Sequence, residues 1–408
     1  MALTWMWPPP GRSRLGAARA LFLSLGLATA ATVTPPAQAQ GSAWALLKEA
    51  APEIQEMLDS ESAVGAAIVV INGGDTAIGT YGHMTTDRVR PITGYTLFEI
   101  GSMTKLFTGL LLIDAVERGE VALDTTIGEL LPPRVVTDMG PARDITLLSL
   151  ATNLSGLPRN VIQMPGNPTP NEYSTAIGSA RAEDVYEFLK TFDPRPTAGQ
   201  WQYSNGGFEL LGHVLELKTG KTFAELLRQR ITTRMGMTNT MVHMPTSAEN
   251  ETVPEGYVWF GPNDLHQQPE RGDNGYFANS FSPASGEIVS TASDMLLYAN
   301  ALLRADHLST DRWSQTLARS MAPYSRPSNL SSSRSESGRR IYSAALGWNI
   351  ETYDDHVILI KDGQTYQFQS YIVISPTKNR AVIVLTNTAG NFGAGSMAPV
   401  VWKIMDGD

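Results

Sequence analysis

The chain has 408 residues, of which 42% are hydrophobic and 17% charged, and its formal net charge is −9. This acidic balance argues against nucleic acid as a partner. Cysteine is absent and the 6 histidines are scattered without a His-x-x-x-His pair, so disulfides are excluded and neither a zinc site nor another cofactor is expected. The stability of the protein must therefore come from a hydrophobic core.

The first 39 residues have the layout of a secretory signal peptide. Arg12, Arg14 and Arg19 precede an apolar run from Leu21 to Val33, and small residues follow up to Ala39. A membrane anchor is the alternative, but this run is shorter than the ~20 residues that a spanning helix needs. Cleavage after Ala39 removes three arginines and no acidic residue, so the net charge of −9 becomes −12. We expect a secreted or periplasmic protein without a stable membrane span.

The beginning of the mature chain predicts a helix, a hairpin and a second helix. Apolar residues at helical spacing indicate an amphipathic helix at 44–58. The β-rich segments 64–71 and 76–81 flank a turn with two glycines, which is typical of a β-hairpin. From Ser102 to about Arg118, apolar side chains recur every three or four residues, and Gly119 ends this second helix.

Helices dominate the middle of the chain, and strand signals return near its end. Residues 119–285 contain few strand-like runs and include predicted helices at 182–190 and 207–219. The Ser- and Arg-rich residues 325–340 are typical of an exposed loop. An antiparallel meander is predicted from four late strands, at 345–351, 356–360, 369–374 and 381–385.

These elements predict two domains after the signal peptide. If the early hairpin joins the late strands, residues 40–118 and 286–408 form one α/β domain, and residues 119–285 form a helical domain. The predicted fold class is α/β (α+β), with an antiparallel sheet flanked by helices and a mostly helical second domain.

A nucleophile with an adjacent base is predicted at the start of the second helix. Ser102 and Lys105 are three residues apart, so on a helix their side chains share one face. A serine hydroxyl is a weak nucleophile at neutral pH and needs a base within hydrogen-bond reach. Because Leu106 and Phe107 follow, we expect Lys105 to be buried, and burial lowers the pKa of a lysine. The alternative is a helix-capping serine beside a solvated lysine.

Residues 96–105, TLFEIGSMTK, resemble the nucleophile motif of class C β-lactamases, related DD-peptidases and family VIII esterases. These families carry a second motif, Tyr-x-Asn on a loop, for which the chain offers Tyr203-Ser204-Asn205 and Tyr298-Ala299-Asn300. Tyr298 lies in a helical pattern, where a tyrosine packs in the core. Tyr203 lies on a loop that can present its phenol, so Tyr203 is preferred.

The third motif of these families, Lys-x-Gly or His-x-Gly on a strand, also has two candidates. Lys218-Thr219-Gly220 ends the helix predicted from residue 207, where a late lysine and a glycine have a capping explanation. Lys361-Asp362-Gly363 continues the strand predicted at 356–360 and follows Ser102 and Tyr203 in the family order. Lys361 is therefore preferred.

The resemblance covers roughly residues 60–390. Among the branches of these families, residues 145–158 and the exported layout look most like AmpH-type D-alanyl-D-alanine carboxypeptidases and endopeptidases. It implies the β-lactamase/transpeptidase-like fold, and it implies an oxyanion held by the backbone N–H groups of Ser102 and Gln364. Which of Lys105 and Tyr203 takes the serine proton stays open. Asp362, Gln364 and Asn153 stand where many relatives carry other residues. The resemblance assigns catalysis to Ser102, Lys105 and Tyr203, and substrate binding to Asn205, Lys361, Gly363 and Gln364.

The function implied is that of a secreted serine hydrolase forming an acyl-enzyme on Ser102. Its substrates would be D-Ala-D-Ala peptides of peptidoglycan, or related amides, esters or β-lactams. The alternative is a penicillin-binding sensor or peptidoglycan-binding protein with slow turnover. The Gly-x-Ser-x-Gly elbow that an α/β-hydrolase needs does not occur in the chain. The oligomeric state cannot be predicted from the sequence.

Overall fold

The computed structural model describes residues 42–162, 180–247, 250–261, 264–267, 281–324, 341–353, 356–390 and 397–407. The predicted signal peptide and the predicted loop at 325–340 lie outside these ranges. Residues 40–408 group into one compact unit, and the division of this unit into an α/β and a helical domain remains a prediction. Within the described ranges, no helix has both the length and the hydropathy needed to cross a bilayer.

Among the described residues, seven strands form one antiparallel sheet, and the other six form two small sheets of three strands each. In chain order the strands are β1 Gly65–Asn72, β2 Asp75–Gly82, β3 Phe98–Glu99, β4 Met241–Val242, β5 Tyr257–Gly261, β6 Asp264–Gln267, β7 Ile288–Ser290, β8 Ile341–Ala344, β9 Asn349–Tyr353, β10 His356–Gln364, β11 Gln369–Ser375, β12 Arg380–Thr386 and β13 Thr388–Ala389. The large sheet has the spatial order β2-β1-β12-β11-β10-β9-β8. The early hairpin therefore joins the late strands, as the sequence predicts.

Two of the described helices precede the first strand and one follows the last, and the other helices lie between strands, many of them in the middle of the chain. The helices are α1 Ser42–Glu49, α2 Ala51–Asp59, α3 Thr104–Glu117, α4 Ile127–Leu130, α5 Pro133–Val136, α6 Leu147–Ala151, α7 Ala182–Thr191, α8 Asn205–Thr219, α9 Phe223–Leu227, α10 Thr233–Met235, α11 Ala292–Leu303, α12 Arg312–Ser320 and α13 Met397–Asp406. Short 3₁₀ turns at Gly101–Met103, Pro141–Asp144 and Pro283–Ser285 and a π-helical turn at Arg228–Thr232 complete the described elements.

Helices cover both faces of the large sheet, which explains why its central strands are apolar without alternation. Successive side chains of a strand point to opposite faces. On β1, Ile68 and Val70 pack in a cluster with α1, α2 and α13, whereas Val69 and Ile71 pack in a second cluster with α3 and α11. All four side chains are at most 1% exposed. The second cluster also contains residues of α3, which begins beside Ser102, so this helix shares a hydrophobic core with that face of the sheet.

The helix predicted at 44–58 is wrong in one respect, because this segment forms two helices. Helix α1 ends at Glu49 and α2 begins at Ala51, with Pro52 in its first turn. Proline has no backbone N–H and cannot donate the hydrogen bond that would continue the preceding helix. A proline is accommodated in the first turn of a helix, so the chain starts a new helix there.

The strand predicted at 345–351 is also partly wrong, because residues 345–348 connect β8 to β9. Gly347 has a φ of +81°, a conformation that favours glycine. A Cβ atom at this position would lie 2.7 Å from the carbonyl oxygen of Lys105. The apolar residues Leu346 and Trp348 are thus buried because the connection packs against the start of α3, and not because they form a strand.

Candidate active site

Ser102 lies in the 3₁₀ turn that precedes α3. The sequence predicts that the α-helix begins at Ser102, whereas α3 begins two residues later, at Thr104. Strand β10 packs closely against this turn, since a Cβ atom on Gly101 would lie 2.6 Å from the backbone nitrogen of Gln364. Gly101 has a φ of +49°, so glycine suits both the conformation and the close approach. The hydroxyl of Ser370 donates a hydrogen bond of 2.8 Å to the carbonyl of Ile100, which joins β11 to the same turn.

Lys105 lies one turn after Ser102 and is fully buried. Its ammonium Nζ donates hydrogen bonds to Ser102 Oγ at 3.2 Å, to Asn205 Oδ1 at 2.9 Å and to the carbonyl of Ser285 at 2.6 Å. Three acceptors satisfy the three N–H groups of an ammonium. Burial, together with the nearby charge of Lys361, lowers the pKa of Lys105, although Tyr203 and Glu209 act in the opposite direction.

Tyr203 completes the group around the nucleophile. Its Oη lies 2.5 Å from Ser102 Oγ, a hydrogen bond in which either oxygen can be the donor. Burial acts to raise the pKa of the Tyr203 phenol, but the charges of Lys105 and Lys361 outweigh it and the net shift is downward. The Nζ atoms of these two lysines lie 5.0 Å and 5.2 Å from the centre of the phenol ring. Both candidate proton acceptors of Ser102 therefore have lowered pKa values.

The loop carrying Tyr203 is held on both sides by Asn153. The backbone N–H of Gln202 donates to the Asn153 carbonyl at 2.9 Å, and the N–H of Ser204 donates to Asn153 Oδ1 at 3.0 Å. Ser204 also caps α8, since its Oγ accepts a hydrogen bond of 2.9 Å from the N–H of Gly207. Helix α8 then presents Asn205, whose Nδ2 donates to Asn160 Oδ1 at 3.3 Å.

Strand β10 brings Lys361, Gly363 and Gln364 to the same place. Lys361 is 4% exposed, and its Nζ donates a hydrogen bond of 3.0 Å to Asp362 Oδ1, so the Asp362 carboxylate lies against this lysine. Gly363 packs so closely that a Cβ atom would lie 2.0 Å from the carbonyl oxygen of Ile100. The Gln364 side chain donates from Nε2 to the carbonyl of Gly390 at 2.9 Å, while its backbone N–H approaches the turn of the nucleophile.

The two motif candidates that are not preferred, at residues 298–300 and 218–220, have structural roles. Tyr298 is buried in α11, where its ring stacks on Phe107 with 4.5 Å between ring centres, and burial raises the pKa of its phenol. Lys218 is exposed in the last turn of α8, and Gly220 ends that helix with a φ of +67° and a hydrogen bond of 2.8 Å to the carbonyl of Glu216.

Sequence reasoning missed two residues that contact this group. Glu209 follows Asn205 by one turn of α8, and its Oε1 accepts a hydrogen bond of 2.9 Å from Ser285 Oγ. The i, i+4 spacing of Asn205 and Glu209 on a predicted helix is a signal that could have indicated their shared face. No sequence pattern links Ser285 to Lys105, because 180 residues separate them. Within the described ranges, no group of three or more histidine or acidic side chains is placed to hold a metal ion.

A serine hydroxyl bonded to a lysine and a tyrosine, at the start of a helix packed on an antiparallel sheet, is the arrangement of a serine hydrolase with an acyl-transfer site. The family model described as Beta-lactamase matches residues 50–405. The chain belongs to this family of serine hydrolases.

Curated relatives are moderately similar in sequence. The chain is 26% identical over 370 residues to "Unguisins hydrolase ungD'" of Aspergillus campestris, covering 86% of this chain and 64% of that protein. It is 25% identical over 370 residues to a "Beta-lactamase" of Escherichia coli K12, covering 86% of this chain and 91% of that protein. It is 23% identical over 325 residues to "Protein flp" of Staphylococcus aureus, covering 79% of this chain and 59% of that protein. The chain thus spans less than two thirds of two of these relatives.

Solved structures confirm the predicted fold class. A class C β-lactamase from Rhodobacter sphaeroides superposes with a TM-score of 0.69 at 23% identity, covering 88% of this chain and 99% of that one. The D-alanine carboxypeptidase AmpC from Burkholderia cenocepacia superposes with a TM-score of 0.67 at 22% identity, covering 89% of this chain and 99% of that one. The predicted resemblance to class C β-lactamases and to D-alanine carboxypeptidases is confirmed at the level of the family and the fold.

Proposed function

We propose that this chain is an exported hydrolase that forms an acyl-enzyme on Ser102, with D-Ala-D-Ala peptides of peptidoglycan and related amides, β-lactams or esters as substrates. The observation that supports it most is the hydrogen-bonded group in which Ser102 Oγ lies 2.5 Å from Tyr203 Oη and 3.2 Å from Lys105 Nζ. Proteins similar to this chain are named D-alanine carboxypeptidase, β-lactamase and unguisins hydrolase, and these names support a hydrolytic function. Export rests on the sequence of residues 1–39.

In the acylation step, Ser102 Oγ attacks the carbonyl carbon of the substrate. Its proton passes to Tyr203 or Lys105, whichever is unprotonated. Because the pKa values of both groups are lowered, a larger fraction of each group is unprotonated near neutral pH. The negative charge that develops on the carbonyl oxygen is stabilised by the backbone N–H groups of Ser102 and Gln364. The transferred proton then goes to the leaving amine, the carbon–nitrogen bond breaks and the acyl group stays on Ser102.

Deacylation reverses the proton transfers with water as the nucleophile. The group that gave its proton to the leaving amine takes one from water, and the hydroxide equivalent attacks the acyl carbon. Ser102 leaves with its proton restored, and the product is a carboxylic acid. Water needs access to the acyl carbon at this stage, and Tyr203 is only partly buried. A site of this kind needs no metal or cofactor for either step.

Substrate binding is assigned to groups around this centre. Asn205 holds Lys105 with its oxygen, and its amide nitrogen is placed to change partner from Asn160 to a substrate carbonyl. Lys361 supplies a cation for a substrate carboxylate, but the carboxylate of Asp362 lies 3.0 Å from it and competes. Substrates that bind Lys361 through a carboxylate therefore have to displace Asp362, which favours weakly charged substrates over strongly anionic ones.

The test compares wild type, Ser102→Ala and the control Ser60→Ala, which alters a serine at the end of α2. Each protein is incubated with a fluorescent penicillin, a D-Ala-D-Ala peptide, nitrocefin and a short acyl ester, and the covalent mass gain and the turnover are measured. We expect acylation and turnover in wild type and Ser60→Ala, and a loss of at least about a thousandfold in Ser102→Ala. Turnover unchanged by Ser102→Ala contradicts the proposal, whereas a persistent adduct without turnover identifies a penicillin-binding sensor instead.

A further inference from the structure

Glu209 is a buried carboxyl group next to the candidate active site for which the acyl-transfer steps above have no use. It lies on α8, one helical turn beyond Asn205, and is 8% exposed. Burial raises the pKa of this carboxyl, while the hydrogen bond from Ser285 and the charge of Lys105 oppose the shift. Burying a carboxyl group costs free energy unless the group is hydrogen-bonded or paired, so the partners of Glu209 matter.

Ser285 connects Glu209 to Lys105 through two of its own atoms. Its hydroxyl Oγ donates to Glu209 Oε1 at 2.9 Å, and its backbone carbonyl accepts from Lys105 Nζ at 2.6 Å. The second bond is the shortest of the three that hold the lysine ammonium. The position of the Ser285 carbonyl therefore decides where the ammonium sits relative to Ser102, and Glu209 is the group that anchors the Ser285 side chain.

The 3₁₀ turn Pro283–Ser285 is held between the two helices that carry the site. On the α3 side, Thr108 Oγ1 donates to the carbonyl of Ala284 at 2.7 Å. On the α8 side, Gly212 lets the turn approach, since a Cβ atom there would lie 2.3 Å from Ala284 Cβ. Glu209 adds the polar anchor on this side, so a change at Glu209 reaches Lys105 through a short and rigid path.

Glu209 also acts on Lys105 electrostatically, through the charge of its carboxylate. The groups that act on the lysine are Tyr203 from the preceding loop, Lys361 from β10 and Glu209 from α8. Asp362 on β10 acts on Tyr203 and lies against Lys361. The Glu209 carboxylate favours the charged form of Lys105, against the effects of burial and of Lys361. Removing that negative charge makes the ammonium easier to deprotonate.

We propose that Glu209 is a positioning residue for Lys105: its carboxyl anchors the Ser285 side chain, and the Ser285 carbonyl holds the lysine ammonium. The inference rests on the proposed function, because it assigns Glu209 to the proton-transfer group of Ser102. It extends the site to a buried residue that reaches Lys105 through Ser285.

Three variants separate the two routes. Glu209→Gln keeps an oxygen that accepts from Ser285 but removes the charge, and Ser285→Ala keeps the carbonyl but removes the hydroxyl. Glu216→Gln is the matched control, because Glu216 is a partly buried carboxyl on the same helix that accepts from the N–H of Phe223 at 2.6 Å. The readouts are the pH profile of kcat/KM on a substrate that wild type turns over, the mass of the Ser102 acyl-enzyme and the thermal unfolding of each variant.

In Glu209→Gln, the limb of the pH profile that reports on Lys105 is expected to move to lower pH, with kcat/KM at the optimum within about threefold of wild type. In Ser285→Ala, the limb stays in place and kcat falls by about fivefold, the effect of losing one hydrogen-bond anchor. KM is expected to stay within about twofold in both variants, because the proposal assigns both residues to Lys105 and neither to substrate binding. Glu216→Gln is expected to match wild type in the profile.

Two results overturn the inference while leaving the proposed function intact. A Glu209→Gln variant that is acylated on Ser102 and has the wild-type pH profile shows that Glu209 does not act on Lys105. A Glu209→Gln variant that loses thermal stability without any movement of the profile shows a purely structural role. Failure of wild type itself to form an acyl-enzyme contradicts the proposed function first, and the two failures are therefore distinguishable.

Discussion

Substitution of Asn153 tests whether the position of Tyr203 depends on a residue outside the group formed by Ser102, Lys105 and Tyr203. Asn153 is 7% exposed and has a φ of +58°, a conformation that glycine adopts freely and alanine does not. Its two oxygens accept the N–H groups of Gln202 and Ser204, which flank Tyr203. The variants Asn153→Gly and Asn153→Ala separate the side-chain hydrogen bond from the backbone conformation.

The magnitude follows from these two contributions. Asn153→Gly removes the acceptor of a buried N–H group on Ser204, which costs about 1.5 kcal/mol. Asn153→Ala removes the same acceptor and also places a Cβ atom in the left-handed region, which adds about 1 kcal/mol. If the whole of this free energy raises the activation barrier by displacing Tyr203, kcat/KM falls about tenfold in Asn153→Gly and about 50- to 100-fold in Asn153→Ala. The conversion is that about 1.4 kcal/mol corresponds to a factor of ten.

The assay is kcat/KM on a substrate that wild type turns over, with urea unfolding of the same preparations. Asn379→Ala is the matched control, because Asn379 also has a positive φ, +48°, but lies in the exposed turn between β11 and β12. It is expected to lose stability and to keep its kcat/KM. Equal kcat/KM values for Asn153→Gly and Asn153→Ala would refute the conformational part. A wild-type kcat/KM in both variants would show that the loop keeps Tyr203 in place without Asn153.

Three further predictions address the phenol, its cation and the stability of the nucleophile helix. Tyr203→Phe is expected to lower kcat/KM at least about a hundredfold, whereas Tyr298→Phe leaves it within twofold and costs no stability, because the buried Tyr298 hydroxyl has no hydrogen-bond partner among the described residues. Lys361→Met removes a cation that lowers the pKa of Tyr203, so that pKa rises and the limb of the kcat/KM profile governed by Tyr203 moves to higher pH. Asp114→Asn removes one of the carboxylates that pair with Arg230, whose side chain is 9% exposed. This substitution is expected to lower the free energy of unfolding, measured by urea titration, by about 3 kcal/mol. The pH profile of kcat/KM is expected to stay as in wild type. A loss of activity in Tyr298→Phe, an unmoved limb in Lys361→Met, or wild-type stability in Asp114→Asn would each contradict the corresponding reasoning.

Local patterns in the sequence were sufficient for the parts of the site that lie on one element. Ser102 and Lys105 are three residues apart, so any helical turn brings their side chains together, and the structure places their atoms 3.2 Å apart. Periodicity also separated Tyr203 from Tyr298, because a residue on the buried stripe of a helix packs in the core. The same reasoning failed for the strand predicted at 345–351, since a buried turn against α3 has the same apolar composition as a strand.

The sequence by itself determined the nucleophile turn, the helix behind it and the early hairpin, because these depend on contacts within a few residues. It also favoured Tyr203 over Tyr298 and Lys361 over Lys218, because helical periodicity and helix capping explain the two alternatives. Only the tertiary structure decided that Lys361 lies against Asp362 and above the ring of Tyr203, and that Ser285 links Glu209 to Lys105. The contacts of Lys361 with Tyr203 and of Ser285 with Lys105 join segments as much as 180 residues apart, and they depend on how helices and strands pack. Hydrophobic periodicity specifies which face of an element is buried, but not which distant polar group meets it there.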